Sequence, residues 1–230
     1  MKTIGILGGM SWESTALYYQ LINEGMRDTV GGLHSARIVM ASVDFAEISA
    51  LQRRGDWDHA GEILASEARR LEDAGADLII LCTNTMHKVA PAIEAAITVP
   101  FLHLGDVAAD AVLAEGLHTV ALMGTAFTME ELFQRERIES HGLTVIVPDA
   151  DQRAIIHAVI YDELVLGIVS EASRARYRAI MADLQERGVE GIILGCTEIE
   201  LLVSPDDSEL PLFPTTRLHA AAAVRAALAE

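Results

Sequence analysis

Short apolar, β-branched runs alternate along this chain with longer stretches of helical period. The runs Thr3–Leu7, Arg37–Val43, Asp77–Leu81, Val99–His103, Thr119–Met123, Thr144–Val147, Gly191–Leu194 and Pro211–Phe213 predict strands. Between them, Asp58–Ala74, Phe127–His141, Ala150–Leu166, Ser170–Arg187 and Thr215–Ala229 carry apolar residues at the spacing of one helix face. Gly75, Gly116, Gly142 and Gly188 stand where such helices should stop, as C-terminal caps. Strand and helix in alternation predict an α/β fold with parallel sheets and right-handed crossovers.

The pattern then repeats. Thr3-Ile-Gly-Ile-Leu-Gly-Gly-Met10 is echoed by Thr119-Val-Ala-Leu-Met-Gly-Thr-Ala126, and Asp77-Leu-Ile-Ile-Leu-Cys-Thr83 by Glu190-Gly-Ile-Ile-Leu-Gly-Cys-Thr197. Val99-Pro-Phe-Leu102 is matched by Leu210-Pro-Leu-Phe213. Thr3 and Thr119 lie 116 residues apart, Cys82 and Cys196 114, Pro100 and Pro211 111, so order and spacing survive together. The expected architecture is two similar α/β domains related by a pseudo-twofold, each a roughly four-stranded parallel sheet flanked by helices. We expect residues 1–104, with the C-terminal helix 215–230 returning to them, to form one half and 105–214 the other. The two cysteines end corresponding strands. Ligands of open parallel sheets bind beyond the carboxyl ends of the strands, which predicts both thiols in one cleft between the halves.

Composition narrows the function. Aromatic residues are only 5% of the chain, so the core rests on Ala, Leu, Ile and Val. The formal net charge of −17 argues against nucleic acid and against anionic membrane surfaces as partners. No apolar run approaches the roughly 18 residues of a spanning helix, and Met1-Lys-Thr-Ile-Gly5 has no signal-peptide pattern, so a cytoplasmic location is expected. In a reducing compartment the two cysteines are free thiols rather than a disulfide. A zinc site lacks its ligand spacing, since neither Cys-x-x-Cys nor clustered histidines occur. No metal is expected.

What remains is thiol chemistry. A thiol placed after a strand and before a helix meets free N–H groups and the positive end of the helix dipole, both favouring thiolate. A thiolate on one side of a substrate Cα and a thiol on the other could remove a proton and return it with inversion. His87, five residues beyond Cys82, is a candidate hydrogen-bond partner for thiol or substrate. Gly9-Met10-Ser11, echoed by Gly124-Thr125, suggests a nest of N–H groups for a carboxylate, or simply a tight turn. Gln52, Arg53 and Arg54 form a local basic patch that could meet a substrate carboxylate, and Glu163 could bind an α-ammonium group. Pyridoxal phosphate needs a Schiff-base lysine. The only lysines are Lys2, at the terminus, and Lys88, which has no phosphate-binding context, so no cofactor is expected.

Ile4-Gly-Ile-Leu-Gly-Gly-Met-Ser-Trp-Glu-Ser-Thr15, Leu81-Cys-Thr-Asn-Thr-Met-His-Lys88, Ile160-Tyr-Asp-Glu-Leu164 and Leu194-Gly-Cys-Thr-Glu-Ile199 resemble the aspartate/glutamate racemase family from end to end. The match is best with its bacterial amino-acid racemase branch of YgeA-like proteins. The resemblance implies an isomerase that racemises a small-molecule amino acid without pyridoxal phosphate, in the cleft between two domains, as a homodimer. It implies Cys82 and Cys196 as the catalytic pair, with substrate contacts from Met10, Gln52, Thr83, Asn84, Thr85, Thr125, Glu163 and Thr197. Aspartate racemases of the family are expected to carry a lysine near Glu163; an acid there points to neutral or broader amino-acid substrates. A hydantoin racemase, a maleate isomerase, an arylmalonate decarboxylase and a non-catalytic two-lobed binding protein are the competing readings.

Overall fold

The computed structural model describes residues 1–229. In chain order the elements are β1 (Ile4–Gly8), α1 (Trp12–Val30), β2 (Ile38–Ser42), α2 (Phe45–Arg54), α3 (Trp57–Asp73), β3 (Leu78–Leu81), α4 (Ala90–Glu94), β4 (Phe101–Leu102), α5 (Leu104–Ala114), β5 (Thr119–Met123), α6 (Ala126–Glu130), α7 (Leu132–Glu139), β6 (Thr144–Ile146), α8 (Ala150–Asp162), α9 (Glu171–Glu186), β7 (Gly191–Leu194), α10 (Ile199–Leu202), β8 (Leu212–Pro214) and α11 (Thr215–Leu228). Each of the eight strand-like runs becomes a strand. Their boundaries shift by a residue or two where the run borders a polar or proline position.

The strands form two four-stranded parallel sheets with the same order, β2-β1-β3-β4 and β6-β5-β7-β8. In each, the first and third strands of the unit are central and close to wholly buried, as continuous apolar runs in a sheet covered on both faces require. A small device repeats as well. Asp77, just before β3, accepts the Thr3 N–H at 2.6 Å, and Glu190, just before β7, accepts those of His118 and Thr119 at 2.7 Å each.

The chain divides into two compact units, Met1–Leu104 with His219–Glu230, and Gly105–Leu218. The helices after the fourth strands are therefore exchanged. α11 follows β8 yet packs its Ala220, Ala223, Val224 and Ala227 against Ile4, Ile6, Leu78 and Ile80 of the first sheet. α5 follows β4 yet packs Ala108, Ala109 and Val112 against Val120, Leu122 and Ile193 of the second. The other face of the first sheet carries α2 and α3, and the other face of the second carries α8 and α9.

Two helical expectations change on inspection. The stretch 127–141 is broken at Glu131, whose extended backbone ends α6 and starts α7. The stretch 150–166 is α-helical only to Asp162; Glu163 leaves helical geometry, and a single 3₁₀ turn, Leu164–Leu166, closes on Gly167 at φ +74°. Among the described residues no helix is long and apolar enough to cross a membrane.

Candidate active site

Cys82 follows directly on β3, its N–H donating to the Leu7 carbonyl at 2.9 Å. Side chains alternate across a strand, so Cys82 continues the row of Leu78 and Ile80. It lies wholly buried in the apolar cluster that contains Tyr18, Ile22 and α11. Burial pushes its thiol well above the ordinary range, because a thiolate there would give up its hydration without a compensating charge.

Cys196 is set differently. Just past β7 it is Gly195, not the cysteine, whose N–H reaches back to the first strand of the unit, at Met123 O, 2.7 Å. Leu7 pairs with Leu81 and Met123 with Leu194, so Cys82 corresponds in register to Gly195. One inserted glycine moves the second thiol a residue further. The cysteines match as motifs and not as register positions. With a side-chain period of two, that single step puts them on opposite faces of their own sheets. Cys82 faces the side of α1 and α11, whereas Cys196 packs, half-buried, against the cluster built from α8 and α9. Its Sγ–H donates to Glu198 Oε2 at 2.9 Å. Burial raises this thiol too, and the Glu198 carboxylate raises it further.

Neither thiol is therefore tuned toward thiolate, as the helix-dipole argument led us to expect. The elements that follow them are a 3₁₀ turn, Thr85–Val89, and the four-residue α10. Such short elements sum few peptide dipoles, and desolvation prevails.

The other expected residues fall into two groups, one in each unit. In the first, Met10 is buried beside Leu51 and Met86, and the Gln52 amide donates to Met86 Sδ at 2.8 Å. Thr83, Asn84 and Thr85 form the turn after Cys82, with Asn84 buried and the other two half-buried. Arg53 and Arg54 lie exposed in the last turn of α2, Arg53 donating to Ser49 Oγ at 2.9 Å. Lys88 lies over the Trp57 ring, 4.0 Å from its centroid. In the second unit, Thr125 is buried at the start of α6 with its hydroxyl 3.3 Å from that of Thr128, and Thr197 Oγ1 lies 3.3 Å from Thr216 Oγ1. Glu163 sits just past α8 rather than on it. Its carboxylate accepts from Ser170 Oγ at 3.0 Å and from Ser173 Oγ at 2.7 and 2.8 Å, which fixes it against the first turn of α9.

Two proposed donors have other work. The Gly9 N–H is taken by Thr15 Oγ1 at 2.9 Å, and a Cβ on Gly9 would come within 2.3 Å of the Val43 carbonyl oxygen. That glycine serves a tight turn at φ +95°. His87 is spanned at both nitrogens: Nδ1 donates to the Thr83 carbonyl at 2.7 Å, and Nε2 accepts the Leu104 N–H at 3.2 Å. It braces the turn after Cys82 and does not point a free nitrogen at the thiol.

Sequence reasoning missed the surroundings of Cys196. Tyr161 of α8 and Tyr177 of α9 both lie within electrostatic reach of that sulfur, and Tyr161 also feels Glu198. Glu198 had a signal, being two residues beyond a cysteine inside a motif, and Tyr161 lies within Ile160-Tyr-Asp-Glu-Leu164; Tyr177 had none. Among the described residues no cluster of His, Cys, Asp and Glu suits a metal ion.

Comparison with known proteins gives this arrangement its class. Residues 7–223 match the Asp/Glu/Hydantoin racemase family, and the chain belongs to it. A crystal structure from Yersinia pestis, provisionally described as an Asp/Glu racemase, shares 50% identity over the full length of both chains with a TM-score of 0.97. An aspartate racemase homologue from Pyrococcus horikoshii OT3 shares 32% over 99% of both, with a TM-score of 0.90. The broad specificity amino-acid racemase RacX of Bacillus subtilis (strain 168) is 24% identical over 98% of each chain.

Proposed function

We propose that this protein racemises free amino acids of more than one kind, without pyridoxal phosphate, using Cys82 and Cys196 as paired base and acid. One observation carries the proposal: each of two sheets of identical order ends its third strand in a Cys-Thr motif. The chemistry follows from what the thiols are. In one direction the thiolate of one cysteine takes the α-proton, and the C–H electron pair moves toward the substrate carboxylate. The thiol of the other then gives its proton to the opposite face of the same carbon, so that proton and charge have exchanged sulfurs. The reading requires both sulfurs to reach one α-carbon.

A substrate α-proton is far less acidic than an ordinary thiol of pKa about 8.5. Burial that raises both thiols makes each thiolate, once formed, a stronger base and narrows that gap. The developing negative charge needs donors already in place. Thr83, Asn84, Thr85, Thr125 and Thr197 supply hydroxyls, an amide and N–H groups, with Met10 and Gln52 lining the first unit's part of the site. Glu163, rigidly held and anionic, suits an α-ammonium group and disfavours a second substrate carboxylate. This supports broad rather than dicarboxylate substrates, in keeping with the relative named for broad specificity.

The test is to incubate the protein with single enantiomers of each common amino acid and analyse the products by chiral chromatography. Conversion of several, in both directions, is expected. Conversion of none overturns the proposal, and conversion of aspartate or glutamate alone overturns its breadth.

A further inference from the structure

We infer that Glu198 is a positioning residue that keeps the proton on Cys196, so that the two thiols of the proposed pair are chemically unlike before any substrate arrives. The inference rests on the racemase reading for its use, but its geometry does not. Glu198 stands two residues past the thiol and accepts the Sγ–H at 2.9 Å. It is held there by the start of α10, since the Leu201 N–H donates to the Glu198 carbonyl at 3.0 Å. The same position after Cys82 is Asn84, a neutral side chain. A thiol donating to a carboxylate is favoured twice over a thiolate beside it: the S–H···O bond exists only while the sulfur is protonated, and deprotonation would place two negative charges in contact.

Burial and the Glu198 carboxylate raise this thiol together, while the Glu198 backbone N–H, bonded to the sulfur, opposes them as the smallest influence. From α8 comes Tyr161 and from α9 Tyr177, both neutral phenols whose own ionisation is pushed up by burial, Tyr177's beyond the usual range. Glu163, beyond the end of α8, is a further anion that bears on Tyr177. Arg217 of α11 is bound to Glu200. Glu198 thereby disfavours the singly deprotonated form with thiolate at Cys196, and the enantiomer presenting its α-proton to Cys82 is the one that needs Cys196 as thiol.

Rates in the two directions are a poor probe of this bias. Enantiomers have equal free energy, so kcat/KM for the two must remain equal in every variant. Proton affinity at the sulfur is the direct readout. We would follow the pH dependence of alkylation by iodoacetamide in the substrate-free protein, resolving Cys82 and Cys196 by peptide mass analysis. In Glu198→Gln the midpoint at Cys196 should fall by about one pH unit or more, with no shift at Cys82. Glu198→Asp, which keeps the charge on a shorter arm, should fall between that variant and wild type, and it provides the same comparison should the Gln variant not fold. A midpoint at Cys196 that stays put or rises overturns the inference; a rise would make Glu198 the thiol's base instead. Because no substrate is present, these outcomes are independent of the chiral assay, which alone decides whether the protein is a racemase.

Discussion

The two units share a scaffold and differ at the thiol. Both have the strand order second-first-third-fourth, both bind the start of the first strand with an acid placed before the third, and both lend their last helix to the other unit. Yet Cys82 is sealed in an apolar cluster, whereas Cys196 stands half-buried with a carboxylate on its sulfur. Gly195 is the origin of the difference: one extra residue at the end of a strand turns the side chain to the other face. The two sheets share one strand order, which their packing demands, while the ends of their third strands differ. For a reaction on two mirror-image faces, an asymmetric pair is no defect, since the substrate's own energetics enforce the balance.

The sharpest way to break this comparison is to remove each sulfur in turn. Cys82→Ser and Cys196→Ser should each lower racemisation by about a thousandfold or more, the loss of one acid-base partner from a step that needs both. In heavy water each variant should still exchange the α-proton of one enantiomer, and the two variants should favour opposite enantiomers. NMR of the α-proton signal tests this. Near-wild-type racemisation in either variant would end the two-thiol proposal, and exchange of the same enantiomer by both would end the idea that the thiols address different faces.

The second prediction compares the units by acid stability. In the first unit His219 is wholly buried, its Nδ1 accepting from Tyr18 OH at 3.0 Å and its Nε2 donating to the Leu102 carbonyl at 2.8 Å. Burial, which penalises the charged ring, lowers its pKa from 6.5 to about 4. Below pH 6.5 the unfolded chain takes up a proton that the folded chain refuses. Stability should therefore fall as the pH drops from about 6.5 toward 4, by on the order of 3 kcal/mol, and this contribution should level off below that. Urea unfolding of wild type and His219→Gln checks it. The variant should be weaker at pH 7 but lose distinctly less on acidification; equal losses would contradict the assignment.

The third prediction concerns the turns after the first strands. Gly9 holds φ +95° with Val43 backbone atoms at 2.3 and 2.6 Å from any added Cβ, while Thr125, its counterpart in the repeat, sits at φ −67°. Gly9→Ala should cost about 2 kcal/mol or more in unfolding free energy, and Thr125→Ala clearly less. Thermal or urea unfolding of the pair would show it, and a larger loss at Thr125 would refute this reading of the two turns.

How much of this was visible in the chain alone depends on the distance over which each feature is decided. β5 and β7 were read to the residue, because Thr119–Met123 and Gly191–Leu194 are apolar runs bounded by polar or glycine positions. The repeat and the Cys-Thr motifs were equally plain. Leu164, Val165 and Leu166 prolong an apolar rhythm past Asp162, where α8 ends. What ends α8 there is accompanied by the capture of Glu163 by Ser170 and Ser173, partners seven and ten residues away. The state of the thiols is likewise decided over long distances in the chain. A helix after a cysteine is a local signal, but desolvation is set by α1, α8, α9 and α11, which pack against the thiols from remote stretches of the chain.

The smallest expected effect completes the comparison of units. Asp207, in the second unit, follows α10 and binds Arg178 and Arg174 of α9, with Oδ2 also accepting the Ser204 N–H at 2.8 Å. The Ser204 N–H first, then the Arg178 guanidinium and the Ser204 hydroxyl, favour the carboxylate against its desolvation, and its pKa drops from the usual 3.8 to about 2. With the folded value below the unfolded one, this contribution is complete above about pH 4 and disappears as the pH falls toward 2. It is thus insensitive to the window in which His219 acts. Asp207→Asn should cost about 1 kcal/mol at pH 7. Its deficit relative to wild type should hold steady from pH 7 to 5, where the His219 contribution is already changing, and narrow only below 4. A deficit that narrows between pH 6.5 and 4 instead would mean that acid stability is not divided between the units in this way.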